Sequence, residues 1–147
     1  MKKLIYTCTA IIGLGFLLSS TSVDYPERGN SSFDVGEKLR YRVTYGFVDA
    51  GEAVMEVKST SKKGNGRSLY QAIGTGRTLA GFNAFFKVDD TYETYLDKQG
   101  IFPWYFKRRV DEGGYIINQD YTFKHHQYKV DNGEGKEFKI PMGVQDM

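Results

Sequence analysis

The chain has 147 residues, a formal net charge of +2 and one cysteine, which bounds it to a single modest domain. Lys2 and Lys3 carry the excess charge: without residues 1–22, the 20 Lys+Arg fall level with the 18 Asp+Glu. A formally neutral folded part excludes bulk attraction to nucleic acid, and Cys8, inside the leader, excludes disulfides, thiolate metal sites and thiol nucleophiles elsewhere.

Residues 1–22 read as a cleaved secretory signal. Lys2 and Lys3 are its basic start, residues 4–18 its apolar run, and Ser20-Thr21-Ser22 the small residues a peptidase reads. The apolar run is short for a membrane span of ~20 residues. Cys8 lies too early to be the lipidated first residue of a mature protein. The expected location is therefore the periplasm or cell envelope, with no transmembrane span after cleavage. Residues 23–32 are polar, contain Pro26 and Gly29, and read as a tether.

Residues 33–147 are expected to form one antiparallel β domain. Leu39, Tyr41, Val43, Tyr45 and Phe47 alternate with Lys38, Arg40, Arg42 and Thr44, the period of a half-buried strand. A turn is expected at Asp49-Ala50-Gly51, with Ala53, Met55 and Val57 returning to the same face. Such clean alternation implies an antiparallel sheet with one wet side. Further strands are expected over residues 68–75, 87–96, 104–110 and 115–123. Leu79, Phe82 and Phe86 have helical spacing, so one or two helical turns are expected over residues 79–86, weakened by Gly81. A last hairpin spans 125–131 and 136–142 around Asn132-Gly133. The fold class is mainly β: a curved antiparallel meander or half-barrel with one short helical segment.

Catalytic motifs are incomplete. Residues 76–81 have P-loop spacing, but Phe82-Asn83 stand where Lys and Ser/Thr are required. Ser59-Thr60-Ser61-Lys62 has Ser-x-x-Lys spacing without its companion motifs. His125 and His126 are the only histidines; as strand neighbours they point apart, and they read as a solvated turn pair rather than metal ligands. Asp89, Asp90, Glu93 and Asp97 form an acidic cluster. Asp90 is in phase with Val88 and Tyr92, so it is expected to point inward and to pair with Arg40, Arg42, Arg108 or Arg109. No catalytic residue, metal or cofactor is assigned.

The aromatic residues suggest a concave apolar site. Leu39, Tyr41, Val43, Tyr45, Phe47, Met55, Trp104 and Phe106 would line it, and Phe82, Phe85 and Phe86 would cover it as a lid. A lipid or other apolar small molecule is the expected ligand. Two other functions fit the sequence: an assembly module that binds an envelope protein by strand addition, and a hydrolase working through the cluster near Asp90.

A string of landmarks resembles an exported bacterial family, the domain of unknown function 3108 (DUF3108). Gly36-Glu37, Leu39, Tyr41, Val43, Tyr45-Gly46 and Ala50-Gly51 resemble its opening hairpin, and Phe86 to Thr94 its middle strand. Pro103, Phe106, Arg108, Glu112-Gly113-Gly114-Tyr115 and Phe123 follow in its order, then Ile140-Pro141 and Gln145-Asp146. The resemblance implies an envelope or periplasmic antiparallel β protein with no established activity. Members of the family continue past the point where this sequence stops, so the resemblance also implies a C-terminally truncated domain.

Overall fold

The computed structural model describes residues 23–146; the signal assigned to residues 1–22 lies outside them. The described chain is an eight-stranded antiparallel meander in which each strand pairs with its sequence neighbours. The strands are β1 (Lys38–Tyr45), β2 (Val48–Gly64), β3 (Arg67–Thr78), β4 (Asp89–Asp97), β5 (Pro103–Glu112), β6 (Tyr115–Lys124), β7 (Lys129–Asp131) and β8 (Glu137–Lys139). One α-helical turn, α1 (Ala80–Asn83), joins β3 to β4. The sheet does not close: β1 and β8 are its two edges. Register shifts at Val43/Thr44, between Ser59 and Lys63, and at Tyr95/Leu96 bend the long strands.

The first turn is not where the sequence pattern places it. Tyr45 pairs with Val48, so the turn is Gly46-Phe47, and Asp49, Ala50 and Gly51 lie inside β2. Gly46 has φ +62° and Phe47 is not in the left-handed region. That is the requirement of a two-residue turn with glycine first. Gly51 serves a different need: a Cβ there would lie 2.8 Å from the Arg77 carbonyl oxygen, so it lets β3 approach. The last hairpin also differs. Its strands are only Lys129–Asp131 and Glu137–Lys139, and residues 132–136 form the loop. The Asn132 side chain accepts hydrogen bonds from the Glu134 and Lys136 amides, which widens the turn.

Residues 23–32 are docked rather than free. Tyr25 packs on Phe102 and edge-on to Trp104, and accepts a hydrogen bond from Asn65. The Arg28 amide donates to the Gln99 carbonyl. Leu69, Phe102 and Trp104 make one buried cluster, with Tyr25, Tyr95 and Tyr105 around it. Phe106, Phe123 and Val130 make a second, joined by Tyr92, Tyr121, Ile140 and Val144. Each fully buried side chain of this size contributes about 1.5–3 kcal/mol.

Candidate functional site

Strand alternation and register divide the sheet into two unlike faces. On one, cross-strand rows run Leu39–Met55–Gly74–Tyr92–Arg108–Gln119 and Val57–Ala72–Thr94–Phe106–Tyr121. Phe123, Val130 and Phe138 continue this face to the far edge. The opposite face is a ladder of ion pairs. Glu52 bridges Arg40 and Arg77, Glu56 bridges Lys38 and Lys58, and Arg42 meets Asp49. Arg109 meets Asp120, and Glu137 bridges Lys124 and Lys129. Such exposed pairs are worth about 0–1 kcal/mol each and leave this face solvated where they run, away from the buried Leu69–Trp104 cluster.

The apolar face is open over its first strands. Leu39, Tyr41, Val43 and Tyr45 are 42%, 50%, 51% and 78% exposed, and Met55 is 56% exposed. A crevice of about 330 Å³ runs beside them, between Phe33, Leu39, Met55, Val57, Ala72 and Leu96. Further along the same face a groove of about 310 Å³ lies over Phe106, Tyr121, Phe123 and Val130. Ile140, Val144 and Asp146 form its other wall. Thr94 anchors this strap by donating a 2.6 Å hydrogen bond to Asp146, and Gln145 donates to the Ile101 carbonyl. Burial raises the Asp146 carboxyl above its ordinary range, against the Thr94 hydrogen bond. Volumes near ~300 Å³ are at the lower end of small-molecule sites.

The expected lining residues are thus distributed unequally. Leu39, Tyr41, Val43, Tyr45, Met55 and Phe106 share the apolar face. Phe47 sits in the first turn and is fully exposed. Trp104 is on the other side: it packs with Leu69, and a Cβ on Gly64 would fall 2.1 Å from its ring. The lid is also elsewhere. Phe82 and Phe85 pair with each other, and Phe86 lies against Gly113 in the β5–β6 turn. The groove is covered instead by residues 140–146, which the helical spacing of 79–86 gave no reason to consider.

The acidic cluster separates by strand alternation. Asp89, Glu93 and Asp97 point to the face opposite Asp90. Asp90 is buried, as its phase implies, but among the described residues it forms no ion pair; it accepts the Asp111 amide at 3.1 Å. The paired carboxylate is Asp97. It is fully buried and receives Arg67 Nε at 2.5 Å, Arg67 Nη2 at 2.8 Å, Trp104 Nε1 at 3.0 Å and the Gln99 and Gly100 amides. Burial pushes this carboxyl up, but Arg67, Trp104 and the two amides outweigh it and hold it below the ordinary range. The Asp97-x-x-Gly100 turn spacing is the sequence signal for this hub. The histidines do occupy a turn, His125–Gln127, but only His126 is solvated. His125 is fully buried between Phe102, Trp104 and Phe123. Its Nε2 is 2.7 Å from the Pro103 carbonyl, and its Nδ1 has no partner among the described residues. Burial lowers its pKa. Among the described residues no three His, Cys, Asp or Glu side chains converge on a metal position.

The sequence profile of the family described as "Protein of unknown function (DUF3108)" matches residues 40–147, and the chain belongs to that family. No curated protein and no solved structure matches it.

Proposed function

We propose that this member of the DUF3108 family holds an apolar or amphipathic ligand, lipid-like in character, against the open face of its sheet, as an exported protein of the cell envelope. The observation that carries the reading is the exposure of Leu39, Tyr41, Val43, Tyr45 and Met55 on one face. Those side chains continue into the grooves beside Phe33 and Phe106. A contiguous apolar surface of this kind needs an occupant, because leaving it in water forfeits the burial that normally offsets chain ordering. The ion-pair ladder on the opposite face has no such need.

A second reading rests on β1. Among the described residues it pairs only with β2, so its outer edge is open to a strand from another envelope protein. The hydrolase reading has less support, since Asp90 faces away from Asp89, Glu93 and Asp97.

The test is mass spectrometry of organic extracts from the full-length protein, purified gently from its native envelope. A stoichiometric apolar molecule supports the carrier reading. An empty, folded protein that co-purifies with another envelope protein transfers the face to the assembly reading. Trp104 emission is a poor reporter here, because its ring is sealed beneath Tyr25 away from the groove.

A further inference from the structure

Arg108 stands apart from the other arginines of the sheet. Arg40 and Arg77 face Glu52, Arg42 faces Asp49, Arg67 faces Asp97 and Arg109 faces Asp120. Arg108 enters no ion pair among the described residues. It is also on the other face, in the row between Tyr92 and Gln119 and next in phase to Phe106. There it lines the groove with Tyr121, Phe123 and Val144. One of its nitrogens is engaged: Nε donates to Gln119 Oε1 at 2.7 Å. The two terminal nitrogens carry no hydrogen bond among the described residues. Gln119 therefore orients the guanidinium while leaving its fork free.

A half-buried cation in an apolar groove is costly unless an anion meets it. A planar guanidinium with a free fork suits a carboxylate or phosphate, which can accept two parallel hydrogen bonds. The carboxyl that shares the groove, Asp146, is bound by Thr94 and lies beyond ion-pair distance of Arg108. From Arg108 the same face runs through Tyr92, Gly74 and Met55 to Leu39, a cross-strand distance of about 19 Å at the usual ~4.8 Å strand spacing. Gly74 offers no side chain to interrupt that path. The geometry provides a polar end and an apolar track.

We propose that the ligand is a single-chain amphiphile with an anionic head, carboxylate or phosphate, and that Arg108 binds that head while the chain lies along the apolar face. The inference rests on the carrier reading above and sharpens it. The test compares full-length protein with its Arg108→Gln and Arg109→Gln variants. Binding of palmitate, hexadecyl phosphate and uncharged hexadecanol is measured by displacement of a neutral fluorescent dye. The expected result is that wild type prefers one or both anions over hexadecanol by roughly ten- to hundredfold, the worth of a charge-assisted pair. Arg108→Gln abolishes that preference and keeps hexadecanol binding, and Arg109→Gln, on the opposite face, keeps both. Which anion is preferred assigns the head as carboxylate or phosphate.

Equal binding of all three probes by wild type, or an anion preference that survives in Arg108→Gln, overturns the assignment to Arg108 and leaves the carrier reading standing. Binding of none overturns both. Arg108→Met gives a readout independent of ligand: with the unpaired cation gone, the empty protein melts at a higher temperature than wild type. A lower melting temperature counts against an uncompensated charge at this position.

Discussion

Replacing Asp97 with alanine tests the account of the hub at the end of β4. The carboxylate is fully buried and receives two hydrogen bonds from Arg67, one from Trp104 and two from the Gln99 and Gly100 amides. Alanine removes the acceptor and leaves these donors facing one another. Arg67 keeps some access to water, with a side chain 19% exposed, while Trp104 and the Gly100 amide are buried. Breaking a buried pair by deleting one partner costs about 3–5 kcal/mol. That is a large share of the ~5–15 kcal/mol that holds a domain of this size together. Urea unfolding followed by Trp104 emission measures it directly. Because the folded Asp97 carboxyl lies below its ordinary value, its stabilisation is fully present above the unfolded pKa of ~3.9 and is lost as pH falls through the folded value. The gap between wild type and Asp97→Ala should therefore narrow from pH 5 downward. A loss below about 1 kcal/mol at pH 7, or a gap that does not change with acid, refutes the hub.

Three further substitutions separate packing, titration and surface. Gly64→Ala sets a Cβ 2.1–2.4 Å from the Trp104 ring, and should cost about 1–3 kcal/mol with red-shifted emission; Gly76→Ala, with nothing within 4 Å, should leave the melting temperature unchanged or higher. Burial lowers the His125 pKa, so wild-type stability should fall as pH drops below the unfolded value of ~6.5; in His125→Phe that slope, read from melts between pH 8 and 5, should disappear. Tyr41→Ser with Val43→Ser should change stability by no more than about 1 kcal/mol, since both side chains are half exposed, yet weaken hexadecanol binding in the dye assay. A loss above ~2 kcal/mol would identify this face as core.

Alternation in 38–45 carried most of what could be read from the sequence. It marks β1, its two faces and the antiparallel pairing, because side-chain period and sheet geometry are the same fact. Turn positions were less legible. Asp49-Ala50-Gly51 has turn composition, but its glycine admits the Arg77 carbonyl of the next strand, a contact that no local pattern encodes. The site was legible in part for the same reason. Phase assigns Leu39, Tyr41, Val43, Tyr45, Met55 and Phe106 to one face, but the bulge at Tyr95/Leu96 breaks the phase beside Trp104 and sends that ring to the other side. Arg108 reads as one of a basic run, Lys107-Arg108-Arg109, until register shows that its neighbours face Glu93 and Asp120 while it faces Tyr92 and Gln119. The strap over residues 140–146 depends on contacts with β4, β5, β6 and β7, far from it in sequence, so no local pattern announces it.

The charge balance of the chain acquires a local meaning from this division. Near neutrality has a local basis, because several cations meet carboxylates along one face, from Arg40 and Glu52 to Lys129 and Glu137. Those pairs are already compensated and offer little to a charged partner at distance. The other face carries fewer charges, and near the groove three of them are fixed in place: Asp90 under the Asp111 amide, Asp146 under Thr94, and Arg108 beside Gln119. Two of them are anions already supplied with donors. Arg108 is the cation among these three, supplied with an acceptor at one nitrogen, in a groove that Phe106, Tyr121 and Phe123 also line. An open apolar face by itself selects for size and greasiness alone. Setting one uncompensated guanidinium within it converts that face into a surface that reads the head of a molecule as well as its chain.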